Sequence, residues 1–263
     1  MRILPLSPYQ DKYKSNTSFT SSSRIYKPSK ITKLDIFSCN NVRTTSNIFR
    51  YDMDWNFLMD HIFWNFMNVK KVNIYSLACS DGSEPYTYAL FLANKNLASL
   101  VNKFTPVIAC DIDPEIIKTA QSGKINLNKS DFINMKMYIK CAEKYFEKLN
   151  SPIKIKDNIM SDAQGYEVNS KIRNMVKFKE SDILSELKNI KDEGNTVVNI
   201  RNVFPYLNEK YINDILDTLS KKLKSGSIFV FGHFDNKVPN FRQRLHDLGF
   251  FSPNMSCNFV EKK

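Results

Sequence analysis

The turn SDGSEP (80–85) stands between an apolar run, VNIYSLAC (72–79), and a segment of helical character, Pro85–Asn94. A glycine in such a turn lets the backbone come close to a ligand, and Gly82 is that glycine. The next apolar run, PVIACDID (106–113), ends in Cys110–Asp111. An acid at that strand end can accept hydrogen bonds from both hydroxyls of a ribose. The separation of Gly82 from Asp111 suits one strand–helix–strand unit, so the pair points to a nucleoside ligand. A dinucleotide site needs G-x-G-x-x-G to seat a pyrophosphate on the helix N-terminus. Here the turn has one glycine and two acids, Asp81 and Glu84. That charge opposes a pyrophosphate and suits a ligand with a sulfonium and an ammonium, as in S-adenosylmethionine.

Strand–helix–strand–helix at this pitch predicts an α/β fold, a parallel sheet with crossover helices on both faces. Asp113 is placed to cap a helix over Pro114–Ser122, with proline at its first position. The parallel pattern returns in MVKFKESDIL (175–184), TVVNIRNV (196–203), a helix over Glu209–Leu223 and the strand SIFVFGHF (227–234). A helix over Phe241–Leu248 and a closing strand end the chain. Upstream, Trp55, Leu58, Met59, Ile62, Phe63 and Phe66 recur at helical spacing within Asp52–Met67, which predicts a helix whose aromatic stripe is core. The stretch 124–176 is less regular and is read as a small inserted subdomain. It holds a helix around Phe132–Leu149 and short strands near Ile153–Ile155 and Tyr166–Val168. Residues 1–33 are polar and read as a flexible arm, which leaves 34–263 as the domain.

The totals narrow the class. At 263 residues and 42% hydrophobic the chain suits one α/β domain. Cys39, Cys79, Cys110, Cys141 and Cys257 are scattered without a C-x-x-C pair, so no zinc site or disulfide framework is expected. His61, His233 and His246 show no metal-ligand spacing. No apolar run of membrane-spanning length and no signal-peptide pattern is seen, and reduced thiols fit a cytoplasmic protein with no membrane insertion. The net charge is +11. Nucleic acid is one partner such a charge suits, but the lysines form no long block, and the charge is read as compositional.

Several segments together resemble the CheR-type chemotaxis methyltransferases, which methylate glutamate side chains of receptor proteins. TTSNIFR (44–50) is similar to the family's N-x-T-x-F-F-R entry motif, and SLACSDGSEPYTYAL (76–90) to its loop S-A-A-C-S-T-G-E-E-P-Y-S-x-A. ACDIDPEIIKTAQSGKI (109–125) resembles D-I-D-x-x-x-L-x-x-A-x-x-G-x-Y, and KYF (144–146) resembles R-Y-F. VKFKESDIL (176–184), NIRNVFPYL (199–207) and LKSGSIFVFGHFD (223–235) resemble the family's V-x-F-x-x-x-N-L-L, F-C-R-N-V-x-I-Y-F and L-x-P-G-G-x-L-x-L-G-H-S-E. Thr44 and Ser46 stand where the family has Asn and Thr, one of the loop's two acids has moved, and Asp182 replaces an Asn. The stretch before Arg50 is short for the family's N-terminal helical domain.

The resemblance implies a Rossmann-like class I methyltransferase sheet that binds S-adenosyl-L-methionine and acts on a protein carboxylate. It implies cofactor-binding roles for Ser46, Arg50, Ala78, Gly82, Glu84, Asp111, Asp182, Ile183 and Asn202. Glu84 would meet the methionine ammonium, or as a first-turn acid only stabilise its helix. Asp182 and Ile183 would flank the adenine, and Asp182 could instead cap the following helix. Arg50, Asn202 and Tyr206 are the catalytic candidates: Arg50 for a carboxylate by a bidentate contact, Asn202 and Tyr206 for aligning donor methyl and acceptor. Asn199 reads as a strand residue and His233 as structural. An ionised carboxylate acceptor needs no general base, so proximity and alignment are the protein's contribution. The competing readings are a methyltransferase of the same fold acting on nucleic acid or a small molecule, and a non-catalytic module that binds cofactor or partner. The lack of an N/D-P-P-Y/F motif counts against base-amine methylation.

Overall fold

The computed structural model describes residues 46–95, 97–154, 163–254 and 256–263. The arm expected at 1–33 and residues Thr44 and Thr45 of the entry motif lie outside the described residues. Asp54 caps the first described helix, α1 (Trp55–Asn65), by accepting from the Phe57 N–H at 3.0 Å. The helix buries Trp55, Leu58, Met59 and Ile62, as its spacing predicts.

The apolar runs form β1 (Asn73–Leu77), β2 (Val107–Asp111), β6 (Val176–Glu180), β7 (Thr196–Asn199) and β8 (Ile228–Val230). These five pair in parallel in the order β6-β2-β1-β7-β8. Two further strands, β10 (Phe259–Lys262) and β9 (Phe250–Phe251), extend the sheet antiparallel beyond β8. Strands buried on both faces need side chains that are apolar throughout, and Val197, Val198, Ile228, Phe229 and Val230 are fully buried. The crossovers are α2 (Ser83–Asn94), α3 (Ala98–Phe104), α4 (Pro114–Ser122), α7 (Ile183–Asn189) and α8 (Glu209–Lys222). α9 (Phe241–Asp247) precedes β9. From β1 the chain builds outward to β2 and β6, then returns to place β7 on the other side of β1. The strand order therefore reverses between β1 and β7, and the carboxyl ends of those strands flank the natural crevice of such a sheet.

Between α4 and β6 lies a separate antiparallel sheet of three strands, order β3-β5-β4 (Lys124–Leu127, Gln164–Val168, Phe146–Lys148). The single helix expected over Phe132–Leu149 is not there. Helix α5 (Lys129–Tyr138), set by a capping box of Asn128 and Asp131, stops where Ile139 turns extended and Cys141 takes φ 54°. A 3₁₀ turn (Ala142–Tyr145) follows, and Phe146 then pairs with Val168 in β4. Edge contacts of Phe132 with the rings of Phe146 and Tyr166 hold helix to sheet, so tertiary pairing overrides a local helical pattern. Ile153 is not in a strand either. The Asn126 side-chain amide bonds both its N–H and its carbonyl, each at 2.7 Å, and stands in for a strand partner. Ile155 lies outside the described residues. A four-residue helix, α6 (Ser170–Arg173), leads into β6.

Buried Asp192 joins the entries of β7 and β8. It accepts from the N–H groups of Gly194 (3.0 Å), Asn195 (3.1 Å) and Lys224 (2.6 Å) and from the Ser227 hydroxyl (2.7 Å). Asp192→Ala strands these donors and should lower stability by about 3 kcal/mol. Urea unfolding with an unchanged m-value would check it.

Candidate active site

The loop from β1 to α2 takes positive φ at Ala78 (58°), Ser80 (52°) and Gly82 (87°). A side chain at Gly82 would meet Phe178, Ala120 and Tyr86 at 3.0–3.1 Å, so only glycine suits this turn. Its shape is set from the next strand. The Asp111 carboxylate accepts from the N–H of Ser80 at 2.9 Å and from that of Asp113 at 3.1 Å, joining the ends of β1 and β2. Asp113 caps α4 as predicted.

The two acids of the turn have different fates. Asp81 turns inward, accepts from the Ser83 N–H at 3.0 Å, and is pushed up to about 6 by burial, with Asp131 nearby adding to the shift. It therefore does not supply the ligand-facing charge that the sequence reading assigned to the turn as a whole. Glu84, on the first turn of α2, lies across the ends of β1 and β7. It accepts from the Ser76 hydroxyl at 3.1 Å, the Asn199 amide, and Arg201 Nη1 at 3.0 Å. Burial raises its pKa, against the pull of Arg201, Ser76 and Arg50. Three donors on a carboxylate with about four acceptor positions leave room for one more, which fits a ligand ammonium. Asn199 is thus more than a strand residue: Tyr88 holds its carbonyl oxygen at 3.2 Å and its amide steadies Glu84.

Arg201 sits at the centre, its side chain 1% exposed. Nη1 meets Glu84, Nη2 meets Asp52, and the Trp55 ring lies 5.2 Å from the guanidinium carbon. Asp52 also accepts from the Asn202 amide and from the backbone N–H of His233, both at 3.2 Å, and its carboxylate lies 3.9 Å from Arg50 Nε. Burial alone would raise the Asp52 pKa. Arg201, Asn202, Arg50 and the His233 N–H outweigh it and hold the group below its ordinary value. The sequence reading missed Asp52 because nothing local marks it; its partners lie 149–181 residues away.

The loop after β7 is held by another aspartate that the sequence reading passed over. Asp235, fully buried, accepts from the N–H groups of Asn202 (2.8 Å), Val203 (3.0 Å), Phe204 (3.1 Å) and Gly232 (2.6 Å). Burial pushes its carboxyl up to about 7, while the four N–H donors pull the other way. This clamp holds Asn202 at φ 57° and ends in the 3₁₀ turn Phe204–Tyr206.

The structure therefore brings Arg50, Glu84, Arg201 and Asn202 together around Asp52, with Ala78 and Gly82 on the adjoining loop and Asp111 at the end of β2. The Asn202 side chain is engaged at both ends, by Asp52 and by the N–H of Phe234 at 3.0 Å. Tyr206 is half-buried. Asp182 caps α7 through the Ser185 N–H at 3.0 Å and accepts from the Tyr211 hydroxyl at 3.2 Å. Ile183 beside it is buried. Ser46 is half-buried, next to Asn47, whose amide bonds Asp131 at 3.0 Å. The His233 ring is exposed and only its backbone joins the cluster. Cys79 and Cys110 are buried with thiol pKa values pushed up by burial, which removes them as nucleophiles. A cavity of about 540 Å³, lined in part by Lys140, Lys144 and Lys171, lies at the far end of α2 from Glu84.

Residues 44–249 match the CheR methyltransferase, SAM-binding domain. The chain belongs to the CheR methyltransferase family. It is 26% identical over 163 residues to a chemotaxis protein methyltransferase of Borreliella burgdorferi, covering 62% of this chain and 52% of that protein. With a chemotaxis protein methyltransferase of Salmonella typhimurium it shares 26% identity over 177 residues, 66% of this chain and 56% of that protein. The chain thus spans about half the length of these curated relatives. In this CheR domain the glycine turn, the acid ending β2 and the spare acceptor position on Glu84 suit the ribose and ammonium of S-adenosylmethionine.

Because the Asp52 pKa is lowered on folding, its contribution to stability is present above the ordinary value of 3.8 and is lost as pH falls through the lowered value. The stability gap between the unsubstituted chain and Asp52→Asn should be about 3 kcal/mol at neutral pH. It should close as the pH is taken below about 4, as read from urea unfolding across a pH series.

Proposed function

We propose that this chain transfers a methyl group to a glutamate carboxylate of a protein, the reaction its resemblance to the CheR-type enzymes implies. The observation that carries the reading is the character of the cleft at β1 and β7. It offers a guanidinium, Arg50, whose only ionic contact among the described residues is Asp52 at 3.9 Å. Among the described residues it shows no thiol or imidazole poised as nucleophile or base: the nearby thiols are buried with pKa values pushed up by burial, and His233 is exposed. An acceptor that is already ionised requires no base. Amine and hydroxyl acceptors would have to lose a proton.

S-adenosylmethionine, when bound, supplies the electrophilic methyl group. Glu84 would hold its ammonium and Asp111 its ribose hydroxyls, with Gly82 and Ala78 letting the loop approach. Ile183 and Asp182 would border the adenine, and Ser46 would lie near the entry segment. Arg50 is placed to bind a carboxylate, of the cofactor or of the acceptor, and to fix its direction. Asn202, whose N–H the Asp235 clamp holds, and Tyr206, at the end of the 3₁₀ turn that follows, would align an acceptor beyond β7. Proximity and orientation alone can supply a large part of the barrier reduction in such a transfer. Among the described residues no helix is long and apolar enough to cross a membrane.

The test is incubation of the chain with isotopically methyl-labelled S-adenosylmethionine and a glutamate-rich receptor-type protein, followed by peptide mass spectrometry. The expected label is a base-labile ester on glutamate. Label confined to amines or to RNA would sink the carboxylate reading. Arg50→Lys keeps the charge but loses the planar fork, and kcat/KM for labelling should fall about 10- to 100-fold.

A further inference from the structure

We infer that Asp52 is a positioning residue for the amino-acid end of the cofactor site: its carboxylate neutralises Arg201, which leaves Glu84 free to receive a ligand ammonium and leaves Arg50 as the guanidinium available to a ligand carboxylate. The inference rests on the cofactor reading above and goes beyond it. Nothing in the CheR resemblance assigns a role to this position.

Arg201 is buried with its side chain 1% exposed, and a guanidinium there must be paired. Two carboxylates reach it, Glu84 on Nη1 and Asp52 on Nη2. With Asp52 in place, Glu84 shares the cation and keeps part of its charge for a second partner. Without Asp52, Glu84 would be the sole counter-charge, and a ligand ammonium would compete with Arg201 for it.

Asp52 Oδ2 accepts from the Asn202 amide and the His233 N–H, both at 3.2 Å, and its backbone carbonyl accepts from Asn258 at 2.9 Å. These bonds anchor the residue from outside its own segment, so its carboxylate cannot swing away with Arg50. Arg50 Nε stays 3.9 Å from Asp52, too long for a hydrogen bond. The charge of Arg201 is thus met by two protein carboxylates, whereas Arg50 is only electrostatically biased. Among the described residues the Arg50 side chain donates no hydrogen bond, so a carboxylate entering the cleft finds its donors open, whereas Arg201 is buried and its charge is already shared by two carboxylates.

The experiment is calorimetric titration of the full chain and of Asp52→Asn with two ligands. One is S-adenosylhomocysteine, which carries the amino-acid end. The other is methylthioadenosine, which lacks it. Asp52→Asn should weaken S-adenosylhomocysteine binding about tenfold, the size of one charge-assisted contact, and leave methylthioadenosine binding unchanged. Asp52→Glu should restore most of the loss. Equal weakening of both ligands, or of neither, would overturn the inference. Failure of the unsubstituted chain to bind either ligand would instead remove the cofactor reading itself, and the two failures are told apart by that control. If Asp52→Asn does not fold, Asp52→Glu alone carries the test: binding of the homocysteine ligand within about threefold of the unsubstituted chain supports the inference, and a larger loss shared by both ligands overturns it.

Discussion

A buried guanidinium organises this cleft. Arg201 leaves β7 pointing into the protein, and its charge must be met there because water cannot reach it. Glu84 and Asp52 meet it from 117 and 149 residues away in sequence. The three segments they belong to, the entry segment before α1, the first turn of α2 and the end of β7, cannot move apart without exposing an unpaired charge. A buried ion pair adds little net stability over apolar packing, but loss of one partner is costly. Its consequence here is fixed geometry. The entry segment is held against the sheet, and Trp55 is laid along the guanidinium.

The same logic recurs with uncharged donors. Asp192 gathers backbone N–H groups where β7 and β8 begin, and Asp235 does so where they end. Loops at strand ends carry N–H groups that no ladder satisfies, and a buried carboxylate satisfies several at once. This explains how left-handed residues persist in the cleft. Asn202 is held at positive φ by bonds to its N–H, its amide and its side-chain oxygen. Ser80 is held by Asp111. Such conformations cost about 1–3 kcal/mol each and last only where the surroundings over-determine them.

What could be read in the sequence was local. Gly82 before a helix, Asp113 followed by Pro114, and apolar runs bounded by turns each follow from the chemistry of a few neighbouring residues, and each reappears as a turn, a cap or a strand. The ordered motifs carried the family in the same way. What could not be read was decided at a distance. β4 is three residues long and exists because β5 lies beside it. Asp52 looks like the start of a helix until Arg201 arrives from 149 residues away in sequence, at the end of the strand beside β1. Asp235 directly follows a stretch expected to be strand to residue 234, yet that strand stops at Val230, and the 3₁₀ turn that follows aims the carboxylate at the β7 loop.

Counting charges in a motif is therefore weaker than asking where each charge points. Asp81 and Glu84 are separated by three positions around the same helix start. Asp81 precedes the left-handed Gly82 and is turned back onto the Ser83 N–H, in a dry setting beside Asp131, where burial works against its ionised form. Glu84 follows that glycine by two residues, and the helical rotation carries it round to the ends of β1 and β7. There it finds Ser76, Asn199 and Arg201. Burial opposes ionisation there too, but a full positive charge lies within hydrogen-bonding distance to offset it. The left-handed turn at one glycine thus leaves two acids of one turn with different partners. Only Glu84 shares a buried cation with Asp52.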